Sequence, residues 1–164
     1  MINGYKCFYK GLVTHFSDTM ELNRVYYSSQ DVNFFKGGFH LCTNLEDTFR
    51  YFDTFNNEVD VAEVHGYGKI SKYDDEYNGF YDMYAVEFIK ITKVLTRDEI
   101  IAYAINLPEY RLDRFLSLYK LSDDEIMLFK KLFYNKPNII KTIMYCQENI
   151  KDVYENNYQL KIKR

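Results

Sequence analysis

The character of the sequence changes at one place, and this change constrains the fold more than any other feature. Residues 1–95 are rich in Tyr and Phe, with short strand-like stretches separated by glycine turns. From Thr96 onward, apolar residues recur at spacings of three and four, the period of an amphipathic helix. Because strands followed by helices form α+β folds, we predict a small, twisted, mostly antiparallel sheet with one short helix, and then a cap of three to four helices.

The length of 164 residues fits one core rather than two large domains. We therefore predict an aromatic-rich α+β region over 1–95 and a helical cap with a basic tail over 96–164, together forming one folding unit. The first region carries 14 acidic and 9 basic residues, and the second carries 10 acidic and 12 basic residues. A formal net charge of −3 gives no general attraction to nucleic acid or anionic lipid, so neither is an expected partner.

Two further absences in the sequence narrow the class of protein. No segment approaches the roughly 20 apolar residues of a membrane helix, and the N-terminus lacks the apolar stretch of a secretory signal. The three cysteines are far apart and the three histidines are scattered, so we expect reduced thiols and no metal site. These observations predict a cytoplasmic protein.

The helical half has clear start signals. Thr96 to Glu99 and Ser122 to Glu125 both match the capping box, in which the two side chains bond each other's backbone N–H groups. Leu121 and Ile126 occupy the two positions of a hydrophobic staple at the second box. Pro108 suits the first turn of one helix, and Pro137 opens a last helix whose apolar residues extend to Tyr154.

Strand signals in the first half are shorter. We predict strands over 4–9, 39–42 and 84–95, and a strand from Val59 that has an irregularity near Ala62 and continues past a glycine bend to Ile70. Residues 43–52 predict a short helix with an N-cap and acidic residues in its first turn. The acidic segment 73–79 predicts a solvated loop.

Residues 36–52, with the pattern G-F-H-x-C-x-N from Gly38 to Asn44, and the glycine-containing stretch 61–69 resemble an uncharacterised domain family common in phage and Gram-positive bacterial proteins. That resemblance covers about residues 4–100 and brings no established activity. More distantly, the same stretch resembles the nicotinamide-binding half of ADP-ribosyltransferases.

The transferase resemblance implies roles for particular residues. Phe39 and His40 would border the nicotinamide pocket, and Tyr51 would stack on the nicotinamide ring. Two departures from the family pattern are visible. The carboxylate that faces the cationic sugar carbon is replaced by the shorter Asp82 or by no acid, and Lys6 stands in the strand where the family carries His or Arg.

Each candidate residue also has a plain structural interpretation. His40 either makes structural hydrogen bonds or faces a ligand, and Glu63 is either a general base or a charge on a strand. Cys42 packs as a small apolar residue in the favoured interpretation, although the nearby His40 could activate its thiol. Asp82 either takes the transferase role or belongs to the acidic loop.

The missing anchor residues favour a non-enzymatic binding protein of phage or mobile-element type on a degenerate transferase-like scaffold. Its expected partner is a host protein, with a nucleotide second, and no cofactor is required. The alternative is an NAD-dependent ADP-ribosyltransferase that uses Asp82. A third hypothesis is that the helical half only forms a homodimer.

Overall fold

A computed structural model describes residues 1–33, 37–73 and 82–148. The chain divides into two compact units, Met1–Ile100 and Ile101–Arg164. The first is built on an antiparallel sheet and the second on helices, so the predicted α+β class is confirmed. The prediction that both regions form one folding unit stays a prediction. No helix in the described ranges is both long and apolar enough to cross a membrane.

The sheet of the first unit closes on itself. In the described residues it has five strands in the order β2-β5-β3-β1-β4, and an additional β4–β5 pairing joins the two sides, so that four of the strands form a small ring. Every strand pair is antiparallel, as predicted. The strands are β1 (Ile2–Tyr9), β2 (Val25–Tyr27), β3 (Phe39–Cys42), β4 (Val59–Lys72) and β5 (Met83–Val94).

β2 and β3 pair with neighbouring segments of β5. Tyr27 lies opposite Phe88, and Phe39 lies opposite Val86. Both strands run antiparallel to β5. The chain leaves the sheet opposite Phe88 and returns to it opposite Val86, which is two residues away on β5. The sequence predicted β3 but not β2, because β2 has only three residues and no turn signal frames it.

β4 is a single strand of 14 residues, with register shifts between Glu63 and Val64 and between Tyr67 and Ile70. The glycine bend predicted near its middle is the second of these shifts. Gly68 adopts φ +80° there, and the amide of Lys69 donates to Glu87 Oε2 at 2.9 Å. The extra residue is thus absorbed as a bulge without ending the strand.

Apolar side chains on one face of the strands form the core inside the ring. Phe8, Leu41, Val64, Val86 and Ile89 are buried there. On the other face, a 3-10 helix (Glu46–Tyr51) packs against β1 and β3. The predicted N-cap is wrong, because this helix begins after Leu45 and no side chain caps it.

The second unit contains most of the helical half. Its described elements follow the predicted order: α1 (Arg97–Ile105, which contains the unit boundary), α2 (Glu109–Leu118), α3 (Asp123–Leu132), α4 (Pro137–Thr142) and a π-helical turn (Ile143–Glu148). Both predicted capping boxes are formed. Pro108 is the N-cap of α2 rather than part of its first turn, whereas Pro137 does open α4.

Gln147 connects the elements of the second unit. Its Oε1 accepts a hydrogen bond from the Leu121 amide at 3.0 Å, and its Nε2 donates to the carbonyls of Tyr119, at 2.9 Å, and Leu116. The side chain is buried and satisfies backbone groups at the end of α2 and just before α3. The predicted apolar positions 150, 153 and 154, the basic tail and most of the acidic loop lie outside the described residues.

Candidate functional site

Strand register places one predicted site residue, Glu63, at the end of a row that crosses four strands. Glu63 lies opposite Tyr5, Tyr5 opposite Cys42, and Cys42 opposite Met83. Directly opposed residues of antiparallel strands point to the same face. This face is the outer one, which the 3-10 helix partly covers at the end near β3.

Tyr51 lies at the opposite end of that row. It closes the 3-10 helix, is 53% exposed, and donates its hydroxyl hydrogen to Met83 Sδ at 3.6 Å. Three strand spacings separate the two ends of the row, about 14 Å along the sheet. β4 also pairs directly with β5, but Glu63 is opposite Lys93 there, ten residues from Met83, so neither direction around the ring makes Tyr51 and Glu63 neighbours.

Phe39 and His40 point to opposite faces of β3. Phe39 packs against the core inside the ring, while His40 is exposed on the outer face. The backbone carbonyl of His40 accepts a hydrogen bond from Lys6 Nζ at 3.0 Å. Only His40 of this pair is therefore placed to meet a ligand from the outer face.

Asp82 lies immediately before β5 and is paired with a cation. Its Oδ1 lies 3.0 Å from Lys72 Nζ, and the two side chains are 51% and 55% exposed. The backbone carbonyl of Asp82 accepts a hydrogen bond from the Thr43 amide at 2.9 Å. The carboxylate is thus held at the surface beside a lysine.

Lys6 is a basic residue of the first unit that has no carboxylate partner among the described residues. It is partly buried on β1, and burial lowers the pKa of its ammonium group. Within the described ranges no carboxylate lies within ion-pair distance of Lys6, whose Nζ contacts the His40 carbonyl and lies 5.6 Å from the centre of the Phe8 ring. The sequence identified Lys6 only as a departure from a family pattern.

The two cysteines near Lys6 are poor nucleophiles. Cys7 and Cys42 are buried, and burial raises the pKa of both thiols, to about 12 for Cys42, with the Asp47 carboxylate adding to the effect. Thiols in this state are protonated at neutral pH, whereas a thiolate is the nucleophilic form. This agrees with the structural interpretation of Cys42.

Two acids that the sequence placed at a helix N-terminus are buried. Glu46 and Asp47 are both fully inaccessible, and Asp47 Oδ2 accepts a hydrogen bond from Asn44 Nδ2 at 3.1 Å. An acid in a first turn commonly faces solvent and is stabilised there by the helix dipole, so the sequence pattern does not predict this burial. Only the packing of the 3-10 helix on the sheet reveals it.

Three rings stand side by side on the outer face of β2, β5 and β4, and we call Tyr27, Phe88 and Tyr67 the aromatic ladder. The Tyr27 and Phe88 ring centroids are 5.1 Å apart; Phe88 and Tyr67 are 5.4 Å apart and nearly parallel, at 6°. The three residues are directly opposed in register. Sequence reasoning missed the ladder because it missed β2.

A second ring cluster includes a histidine. The Tyr9 hydroxyl lies 3.3 Å from His15 Nδ1, and the His15 ring centroid is 4.2 Å from that of Phe52. No group of three His, Cys, Asp or Glu side chains in residues 1–33, 37–73 and 82–148 could hold a metal ion. His15 is thus explained by its ring contacts.

One comparison with known proteins is informative. A family model described as a domain of unknown function, DUF7666, matches residues 2–102, which include the whole sheet and both ring clusters. No curated protein and no solved structure matches the chain significantly. Since the matched region is more than half of the 164 residues, the chain belongs to the DUF7666 family.

Proposed function

We propose that this chain is a non-enzymatic binding protein that engages a partner through the outer face of its sheet. The observation that carries the proposal is the state of Asp82, whose carboxylate is paired with Lys72 at 3.0 Å. ADP-ribosyl transfer develops positive charge at a sugar carbon and needs an available carboxylate beside it. A carboxylate already paired with a lysine stabilises such a charge poorly.

The placement of the other candidates also supports a binding role. Tyr51 and Glu63 are at opposite ends of one row, and the Phe39 ring packs into the core. A transferase needs these groups around one bound cofactor. The type of partner, a host protein met by a phage or mobile-element product, rests on the resemblance carried by residues 36–52 and 61–69.

NAD turnover tests the proposal. The full chain, Asp82→Asn and Lys72→Met are incubated with labelled NAD and lysate, and nicotinamide release and protein labelling are measured. We expect all three proteins to match the protein-free blank. The Lys72→Met variant makes the test stringent, because it removes the cation that pairs with Asp82.

The alternative, ADP-ribosyl transfer through Asp82, predicts a different pattern. The full chain would release nicotinamide above the blank, Asp82→Asn would lose that activity, and Lys72→Met would keep or increase it. Observation of this pattern would overturn the binding proposal. Activity that is unchanged in Asp82→Asn would also overturn it, and would in addition remove Asp82 from the mechanism.

A further inference from the structure

The aromatic ladder leaves one ring largely open. Tyr27 is 60% exposed, whereas Phe88 and Tyr67 are partly buried beneath their neighbours. Cross-strand ring pairs stabilise a sheet, and this explains the contact between Phe88 and Tyr67. It does not explain why the ladder ends on an open tyrosine at β2, the strand that pairs only with β5 in the described sheet.

Two basic side chains lie one row away on the same face. Lys90 is directly opposite both Val25 and His65, two positions from the ladder residues of each strand. Residues two apart on a strand share a face, so Lys90 and His65 lie beside the rings. Within the described part of the chain, neither side chain has an ion-pair or hydrogen-bond partner.

The combination of an open ring, a lysine without an ion-pair partner among the described residues and a histidine fits a ligand with a flat ring and an anionic group. We propose that this face binds a free nucleotide, with its base stacked on Tyr27 and its phosphate at Lys90 and His65. Base stacking on aromatic side chains is favourable for any base, and a lysine binds phosphate as a point charge. The inference rests on the proposed binding function and adds a small ligand to the protein partner proposed there.

The charge of the surroundings favours a free nucleotide over a nucleic-acid strand. Residues 1–95 carry 14 acidic and 9 basic residues. A strand with many phosphates would extend beyond Lys90 and His65 into this negative field, whereas a single nucleotide would not. A mononucleotide therefore meets fewer of these acidic groups than a strand does.

Calorimetric titration of the full chain tests the site, with adenosine 5′-monophosphate, adenosine and inorganic phosphate as probes. We expect the monophosphate to bind, Tyr27→Ala to weaken its binding by about tenfold, and Tyr27→Phe to retain it. Lys90→Gln should weaken the monophosphate but not adenosine. Tyr134→Ala, at a 79% exposed tyrosine of the second unit, is the control and should bind as the unchanged chain does.

Three results would overturn the inference: no binding of the monophosphate at millimolar concentration, equal binding by Tyr27→Ala, or tighter binding of a short single-stranded oligonucleotide than of the monophosphate. Circular dichroism of Tyr27→Ala distinguishes a loss of binding from unfolding of the variant. If the chain neither binds the monophosphate nor turns over NAD, the nucleotide site is rejected and the proposed binding function stands. NAD turnover that requires Asp82 instead rejects the proposed function.

Discussion

Lys6 brings a charge into the sheet without a carboxylate to balance it. Burial lowers the pKa of its ammonium group, so the folded state holds the proton less tightly than the unfolded state does. The cost is present below the folded pKa and disappears as the pH rises through that pKa toward the unfolded value of about 10.4. The folded protein should therefore gain stability over this alkaline window.

Substitution of Lys6 by Met tests this account, because it keeps most of the length of the side chain and removes its charge. We expect the free energy of unfolding at pH 7 to rise by about 0.5–2 kcal/mol, the usual range for a stabilising substitution. The alkaline gain in stability should disappear. Urea denaturation at pH 7 and pH 10 measures both effects.

The control for Lys6 is Lys69→Met, on β4 with a 71% exposed side chain. Surface substitutions usually change stability by less than about 0.5 kcal/mol, so this variant should denature as the unchanged chain does. A Lys6→Met variant that is less stable than the control would mean that the bond from Nζ to the His40 carbonyl outweighs the burial cost.

Among the elements, the turn after β1 depends on a carboxylate of β4, a strand that is far from this turn in sequence but pairs with β1 in the sheet. Gly11 and Leu12 both have positive φ, 85° and 58°. Asp60 Oδ2 accepts hydrogen bonds from their amides at 2.7 and 3.2 Å, and Asp60 Oδ1 from Lys10 Nζ at 2.9 Å. Burial alone would raise the pKa of Asp60, but these bonds lower it.

Asp60→Ala should destabilise the protein by about 1–3 kcal/mol at pH 7, because it leaves the turn amides without their acceptor. A carboxyl with a lowered folded pKa stabilises the fold above its unfolded value of about 3.9, and this contribution is lost as the pH falls through the folded pKa. The difference between the variant and the unchanged chain should therefore shrink in acid. Urea denaturation at pH 7 and pH 3 tests this, with exposed Glu58→Ala as a neutral control.

The β4 bulge offers a matched pair of glycines. Gly68 and Gly11 have similar φ, 80° and 85°, but differ in the space around them. A Cβ at Gly68 would lie 2.5 Å from Glu87 Oε2 and 2.7 Å from Phe88 Cδ2, whereas at Gly11 it would lie 4.0 Å from the Val13 side chain. Only Gly68 therefore combines backbone strain with a clash against a ladder residue.

Gly11→Ala should cost about 1–2 kcal/mol of stability, the penalty of left-handed backbone for a residue with a Cβ. Gly68→Ala should cost more than this and should also shift the aromatic side-chain signals of Phe88. Thermal unfolding and aromatic NMR spectra measure the two effects. Equal destabilisation by both substitutions would show that the Glu87 side chain moves aside.

The elements that the sequence predicted well are those with local signals. Both capping boxes are read within four residues, and the long strand signal over 84–95 matches β5 closely. β2 and the burial of Glu46 depend on partners distant in the sequence, so no local pattern reports them. The same reason explains the candidate site. The residue types in β3 could be read from the sequence, but neither their separation from Glu63 nor the existence of the aromatic ladder could be.

At the scale of the whole molecule, Gln147 shows how the second unit is held together. Gln147→Leu should destabilise it by about 1–3 kcal/mol, because the Leu121 amide and the carbonyls of Tyr119 and Leu116 lose their buried partner. Exposed Met144→Ala in the same π-helical turn is the control. Hydrogen exchange of Gln147→Leu, measured at each amide, also tests the predicted single folding unit. If the chain is one cooperative unit, amides in both halves lose protection. If the two units are independent, only amides from Ile101 onward lose it.

The arrangement of β2 and β3 along β5 has a consequence for variation in the chain. Tyr27 and Phe39 are twelve residues apart, yet their partners Phe88 and Val86 are only two apart. The connecting segment thus starts and finishes at nearly the same point of the sheet, and closing a longer loop there adds little entropic cost. We therefore expect the segment between Tyr27 and Phe39 to accept inserted residues, such as a tag or a grafted peptide, with little loss of stability.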